Sequence, residues 1–308
     1  MSSIDFTSAA ACTAISDVPQ PSFNRAVHIF RCALIAVLAC VAFYSRHFDQ
    51  LIEALWVNYL LQSPIFRHDS FEPALSTFCF GLFITLWMIF DFHVPSLQCF
   101  RIDKSGGNKA WKGREKALWN ETVWYLLPWI VFDAIHPRRY KILVPASPTL
   151  YSIISDILLS LLCYDLFFFF GHYAFHSFSY VYKSYHKEHH VSHAIRATDA
   201  IRHTFVDGTF DVLCSVLALK LVKAHPLSRS LYNVVAIYLI TEAHCGYDFP
   251  WMLHRVVPFN IVAGPVVHHI HHRLGNKNFG KFFNIADFIF GTLRLELDLK
   301  ENELISRK

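Results

Sequence analysis

Histidines in three short clusters are the residues of this chain best suited to chemistry. Imidazole binds zinc, copper, iron and nickel, and helical positions three or four residues apart lie on one face. Each cluster can therefore direct two or three rings at one point. Eight imidazoles exceed the four ligands of a tetrahedral zinc and suit two ions of higher coordination number. The clusters are His172-x-x-x-His176, His186-x-x-His189-His190 and His268-x-x-His271-His272.

The donor set narrows the choice of metal and reaction. One His-x-x-x-His is weak evidence, whereas two copies of His-x-x-His-His beside it are strong. The shortage of carboxylates disfavours both magnesium or calcium and the Glu-based di-iron bundle. The chain has no His-Glu-x-x-His, so a zinc-dependent membrane hydrolase is a poorly matched alternative. A metal transporter would need acidic or histidine residues repeated within several spans.

The composition indicates a membrane protein. Of 308 residues, 54% are hydrophobic and only 17% charged, and the mean hydropathy is +0.31. The net charge of +4 without a long basic run gives little support to a nucleic-acid partner. The eight scattered cysteines form no Cys-x-x-Cys, and several that lie inside apolar runs are predicted to be reduced packing residues rather than bridges or ligands.

The hydrophobic segments predict an all-α, polytopic membrane fold. Leu150–Phe170, after Pro148, is the clearest transmembrane helix, because about 20 residues cross the bilayer core. His172 and His176 then extend this helix beyond the hydrocarbon edge. The other apolar segments are Ile29–Tyr44 as a marginal span or anchor, Phe78–Phe92, a kinked or re-entrant Val123–Ile135, and the short pair Phe210–Val222 and Leu231–Ile240.

Domain bounds follow from these segments. Residues 1–27 are predicted to be a flexible tail, 28–57 an additional apolar segment, and 58–300 the catalytic domain. No cleaved signal peptide is predicted.

Positive charge predicts which side of the membrane carries the histidines. Basic residues lie in 101–116, in 138–141 and around the second cluster, which is typical of cytoplasmic loops. An even number of crossings must then separate His190 from His268, and segments 210–222 and 231–240 provide it. Asn120 matches a glycan acceptor but stands in a basic, cytosolic neighbourhood, so its modification is left open.

Asp165 is the buried acid for which a function is predicted. It precedes His172 by seven residues and His176 by eleven, so the three share a helical face. An acid inside an apolar helix is expensive unless it has a partner. We expect it to hydrogen-bond a metal-binding imidazole and orient it; pairing with another polar helix is the alternative. Asp156, deeper in the same helix, is given only that structural interpretation.

The three clusters, in this order after a transmembrane helix, resemble the fatty-acid hydroxylase/sterol desaturase superfamily. The resemblance covers roughly residues 58–295. Within the superfamily, the motifs of this chain are most similar to those of the cholesterol 25-hydroxylase branch. The segments that carry this resemblance are Leu60–Phe66, Cys163-Tyr164-Asp165, Gly246–Trp251, His254–Phe259, Val267–His272, Asn278-Phe279 and Gly291–Arg294.

The resemblance implies an endoplasmic reticulum membrane enzyme with a histidine-bound di-iron centre that uses O2. The eight cluster histidines would be ligands and His244 a ninth, while His203 is a weaker match. Electrons would come from NADPH through a separate reductase or cytochrome b5, since the chain has no nucleotide-binding fingerprint.

The expected reaction is hydroxylation of a sterol, cholesterol at C-25 in the first instance. C-4 methylsterol oxidation and sphingoid-base hydroxylation share the same clusters and stay open. One departure from the family pattern is His269, which stands where the third cluster usually has Asp.

Overall fold

The chain folds into helices joined by short connections. The computed structural model describes residues 20–103, 143–192 and 194–296. Within these ranges there is no β-strand beyond two isolated bridges. The seven helices of ten or more residues are α1 (Gln20–Phe43), α2 (Ser45–Leu55), α3 (Phe71–His93), α4 (Leu150–Ser177), α5 (Phe205–Val222), α6 (Pro226–Ala243) and α7 (Pro265–Leu274).

Shorter helical segments connect the long ones. The α-helices among them have three to five residues, and the others are short 3₁₀ or π segments. The connecting segments are Trp56–Leu60, Pro64–Arg67, Pro95–Phe100, Ser179–Val181, Tyr182–His186, His189–Val191, Ala197–Ile201, Leu253–Val256, Pro258–Asn260 and Ile285–Ile289.

Three of the described helices are long and apolar enough to cross a membrane: Pro21–Phe43 in α1, Phe71–His93 (α3) and Leu150–Ser177 (α4). The predictions at 78–92 and 150–170 are thereby confirmed, and α4 continues past Phe170 to carry His172 and His176. Thr149 caps the start of α4 by accepting a hydrogen bond from the Ser152 amide.

Helix α4 lies at the centre of the fold. It packs against α5 on one side and α6 on another, and α6 in turn packs against α3. Helix α5 begins at the histidines and α6 ends there, so the chain leaves the site along one helix and returns along the other. The core between them is apolar and aromatic and includes Leu161, Tyr164, Phe168, Cys214, Ala218, Tyr232, Ala236 and Ile240.

Helix α1 is attached to the rest of the chain through Arg31. Its guanidinium donates to the carbonyls of Arg255 and Val256, at 2.9 and 3.1 Å. The helix begins at Gln20, so residues 20–27 are helical although the sequence placed them in the tail. Only 6% of its most hydrophobic stretch is buried in the protein, as expected of a helix that faces lipid.

Other sequence predictions have mixed outcomes. The seven described cysteines are all free, as predicted. Asp156 accepts a hydrogen bond from the His225 amide at 3.0 Å, which is a structural role at the start of α6. Val123–Ile135, Asn120, Cys12 and most of the basic segments 101–116 and 138–141 lie outside the described residues.

Candidate metal centre

The structure gathers nine histidines into two adjoining groups. In each group the candidate ligand nitrogens all lie within 4.8 Å of one another. The rings of His190 and His272, one from each group, are 4.5 Å apart between centroids. The five-imidazole group contains His172, His176, His186, His190 and His271, and the four-imidazole group contains His189, His244, His268 and His272.

The two His-x-x-His-His clusters divide their rings between the groups. In the second cluster, His186 and His190 belong to the five-imidazole group and His189 to the other. In the third cluster the outer pair, His268 and His272, belongs to the four-imidazole group, whereas His271 belongs to the five-imidazole group. An i,i+4 pair faces one way and the residue between faces another, so this motif suits two neighbouring ions.

The Nδ1 atoms of five rings have fixed hydrogen-bond acceptors. Four of these are main-chain carbonyls and one is the carboxylate of Asp207. The pairs are His172 with Phe279 O (2.8 Å), His189 with Arg202 O (3.1 Å), His244 with Ile240 O (2.8 Å), His271 with Lys277 O (2.7 Å) and His186 with Asp207 Oδ2 (2.9 Å). Such acceptors fix the tautomer with Nδ1 protonated and Nε2 bare.

Bare Nε2 atoms then face one another with no proton between them. His172 Nε2 lies 3.0 Å from His186 Nε2, and His244 Nε2 lies 3.4 Å from His189 Nε2. His176 Nε2 is buried without a hydrogen-bond partner. Opposed lone pairs repel, and a buried polar nitrogen without a partner is costly. A cation between the rings removes both penalties, so the donor set fits metal ions.

Burial favours the neutral form of most of these imidazoles. Desolvation lowers the pKa of His244 and of His271 to about 3 each. It also lowers the pKa values of His189, His268 and His272 well below the usual range for histidine, with neighbouring imidazoles adding to the effect. Metal binding requires the neutral ring, and the site supplies it at physiological pH.

Asp165 does not act as predicted. Its Oδ1 accepts hydrogen bonds from the amides of Lys281 and Phe282, at 2.8 and 2.6 Å, and no imidazole is among its partners in the described chain. The prediction that Asp165 hydrogen-bonds a metal-binding imidazole is therefore wrong. The carboxylate instead fixes the segment that follows α7, whose carbonyls at Lys277 and Phe279 hold His271 and His172.

Asp207 is the acid that the sequence analysis missed. It is buried beside His186 and lies in the first turn of α5, where Thr204 accepts a hydrogen bond from its amide. Thr-x-x-Asp at a helix start is explained by capping alone, which hides any further role. The only feature of the sequence that could have drawn attention to Asp207 is its position four residues after His203.

The other histidines discussed in the sequence analysis differ in whether they belong to one of the two groups. His244, the ninth candidate, lies in the four-imidazole group. His203 lies in neither group; its ring packs against Gly208, where an added Cβ would come within 2.6 Å of it. His269 also lies outside both groups and accepts a hydrogen bond from Arg273. Replacement of the family's Asp at this position leaves the candidate ligands intact.

Comparison with known proteins agrees with this geometry. The family model described as fatty acid hydroxylase matches residues 157–292, which include all nine imidazoles. Human cholesterol 25-hydroxylase is 36% identical over 240 residues, covering 76% of this chain and 86% of that protein. The chain belongs to the fatty acid hydroxylase family.

Two further relatives differ in how much they cover. Mouse cholesterol 25-hydroxylase is 33% identical over 169 residues, covering 55% of this chain and about half (54%) of that protein's length. A zebrafish cholesterol 25-hydroxylase-like protein is 29% identical over 256 residues, or 80% of this chain and 99% of that protein. No solved structure matches the chain. The family model and these relatives are all named as hydroxylases, and the chain has three described helices able to cross a membrane.

Proposed function

We propose that this protein is a di-iron monooxygenase that hydroxylates a sterol, with cholesterol at C-25 as the first candidate, in the endoplasmic reticulum membrane. The observation that carries the proposal is the pair of buried, all-imidazole groups. Nine imidazoles in two adjoining groups suit two ions better than the single zinc of a hydrolase, which takes three protein ligands and a water.

The nine imidazoles would hold the iron. The bound pair would supply activation of O2 and oxidation of an unactivated C–H bond. The chain's own contribution is geometric and electrostatic. Phe279 O, Ile240 O and Asp207 orient His172, His244 and His186 through their Nδ1 protons, and burial of the rings excludes water. Electrons would come from a separate NADPH-dependent reductase or cytochrome b5.

Neighbouring histidines on α7 provide a matched test. His271 lies in the five-imidazole group and His269 lies outside both groups, although both are buried. We expect the His271→Ala variant to lose its iron and to incorporate no oxygen from ¹⁸O₂ into cholesterol. We expect the His269→Asn variant to keep both its iron and its hydroxylation activity. Metal analysis and mass spectrometry of the sterol products measure this.

The same measurements separate the alternatives. About two irons per chain and one ¹⁸O in the product support the monooxygenase. One zinc per chain and no ¹⁸O incorporation would instead indicate a hydrolase. Oxygen at a C-4 methyl group, or on a sphingoid base, would keep the di-iron chemistry and change the substrate. Full turnover by His271→Ala would refute the ligand assignment.

A further inference from the structure

A cavity between α3, α5 and α6 ends beside the backbone that holds two imidazoles of the four-imidazole group, although none of the nine imidazoles lines it. One face of α5, from Gly208 to Leu219, and one face of α6, from Arg229 to Ile240, form its long walls, and the first turns of α3 close its side. Each long wall covers eleven residue steps, or about 16 Å at the helical rise of 1.5 Å per residue. The cavity therefore extends along the helices over a length comparable to much of the thickness of one membrane leaflet.

The inner end of the cavity lies against the backbone that positions the four-imidazole group. Ile201, His203 and Ile240 line this end. The Ile240 carbonyl accepts from His244 Nδ1, and the carbonyl of Arg202, between Ile201 and His203, accepts from His189 Nδ1. A molecule that fills the cavity thus reaches the edge of the candidate metal centre.

The outer end is polar. Glu72 and Arg229 form a two-pronged ion pair there, at 2.7 and 3.1 Å. Asn233, one turn further along α6, is half-buried and makes no hydrogen bond to any described residue. Because it is only half-buried, this amide is free to bond a polar group that enters the cavity.

The stretch between the two ends is largely apolar. Val212, Val216, Ala236 and Ile237 line it. The polar groups that interrupt it bond to one another or to protein neighbours: the Ser215 and Tyr232 hydroxyls lie 3.3 Å apart, and Asp211 pairs with Lys281 at 2.5 Å. The lining thus offers the Asn233 amide as a polar contact near the outer end and hydrocarbon contacts towards the metal centre.

We propose that this cavity binds a sterol with its hydroxyl at the polar outer end, within reach of Asn233, and its hydrocarbon end directed past Ile240 towards the four-imidazole group. The proposal rests on the proposed function. The Asn233 amide both donates and accepts, so it can satisfy a hydroxyl completely. A fatty-acid carboxylate would meet the negative charge of Glu72, while the charge of Arg229 is already paired. The lining therefore favours a neutral hydroxyl, and oxidation falls on the end of the lipid remote from it.

The polar contact is tested by pairing a protein change with a ligand change. Wild type and Asn233→Leu in nanodiscs are titrated with a radiolabelled sterol and with the analogue whose hydroxyl is replaced by hydrogen. Loss of one hydrogen bond weakens binding by roughly fivefold to tenfold, so we expect that loss for the sterol and no change for the analogue. Equal losses for both ligands, or palmitate competing as well as the sterol, would overturn the assigned orientation.

The position of the cavity is tested by a matched pair on α6. Ala236 is buried in the lining, whereas Leu231 is 39% exposed on another face of the helix. We expect Ala236→Phe to reduce labelling by a photoactivatable sterol at least tenfold and Leu231→Phe to leave it unchanged. Equal labelling of the two variants refutes the cavity. Labelling that depends on Ala236 without any oxidised sterol supports the cavity and refutes the proposed function.

Discussion

At the scale of residues, the site depends on what each imidazole bonds to on its far side. The spacing of the clusters was enough to predict eight ring positions, and the family resemblance added His244. The sequence could not predict the Nδ1 acceptors, since four of them are main-chain carbonyls whose placement depends on the tertiary fold. The same limit explains why Asp165 was assigned a direct bond that it does not make.

Asp207→Asn tests the one described carboxylate that bonds an imidazole of the two candidate metal groups. Asn keeps an acceptor for His186 Nδ1 but removes the negative charge that makes the ring a stronger ligand. We expect iron affinity to fall about 10- to 100-fold, measured as retained iron after a chelator challenge. Asp156→Asn, whose acid bonds the His225 amide instead, is the control. Equal iron loss in both variants would mean that the effect is not specific to His186.

At the scale of elements, hydrophobicity predicted helices well and connections poorly. The segments at 78–92 and 150–170 matched α3 and α4, because a long apolar run has only one stable form in a bilayer. The short pair at 210–222 and 231–240 became the longer α5 and α6. Their first turns, Phe205–Phe210 and Pro226–Ser230, contain polar and capping residues, which a search for apolar runs leaves out.

The segment after α7 is the element whose position matters most to the site. Gly280 lies in it between two acids: a Cβ there would be 2.5 Å from the Phe283 carbonyl, 3.0 Å from Asp287 Oδ2 and 3.2 Å from Asp165 Oδ2. Any side chain must therefore displace backbone that Asp165 and Asp287 hold through the amides of residues 279–282.

Gly280→Ala should consequently destabilise the protein and reduce its iron content. We expect a loss of roughly 1–3 kcal/mol, the usual size of an overpacking or broken hydrogen-bond effect, seen as a lower melting temperature. Gly81→Ala in α3 is the matched control, because nothing lies within 4 Å of its Cβ position; there Ala should be neutral or stabilise by up to about 1 kcal/mol. If Gly280→Ala matched this control, the segment would not be tightly constrained.

At the scale of the whole molecule, the imidazole groups join parts of the chain that lie far apart in the sequence. They bring together the end of α4, the turns at 182–191, the end of α6 and α7. The sequence predicted that the three histidine clusters converge, and the structure confirms that convergence. The exposed α1, attached through Arg31, contributes no candidate ligand and can act as a lipid-facing anchor.

Because the ions would join these elements, removing them should lower global stability. A ligand present at a thousand times its Kd adds about 4 kcal/mol, which corresponds to roughly 10 °C in melting temperature for a chain of this size. We expect chelated protein in nanodiscs to melt lower by about this amount and to recover when ferrous iron is restored. His271→Ala, which removes one of five rings from its group, should melt low from the outset and respond less to the chelator. Identical melting temperatures for chelated and reloaded wild type would mean that helix packing alone holds the opposed imidazoles together.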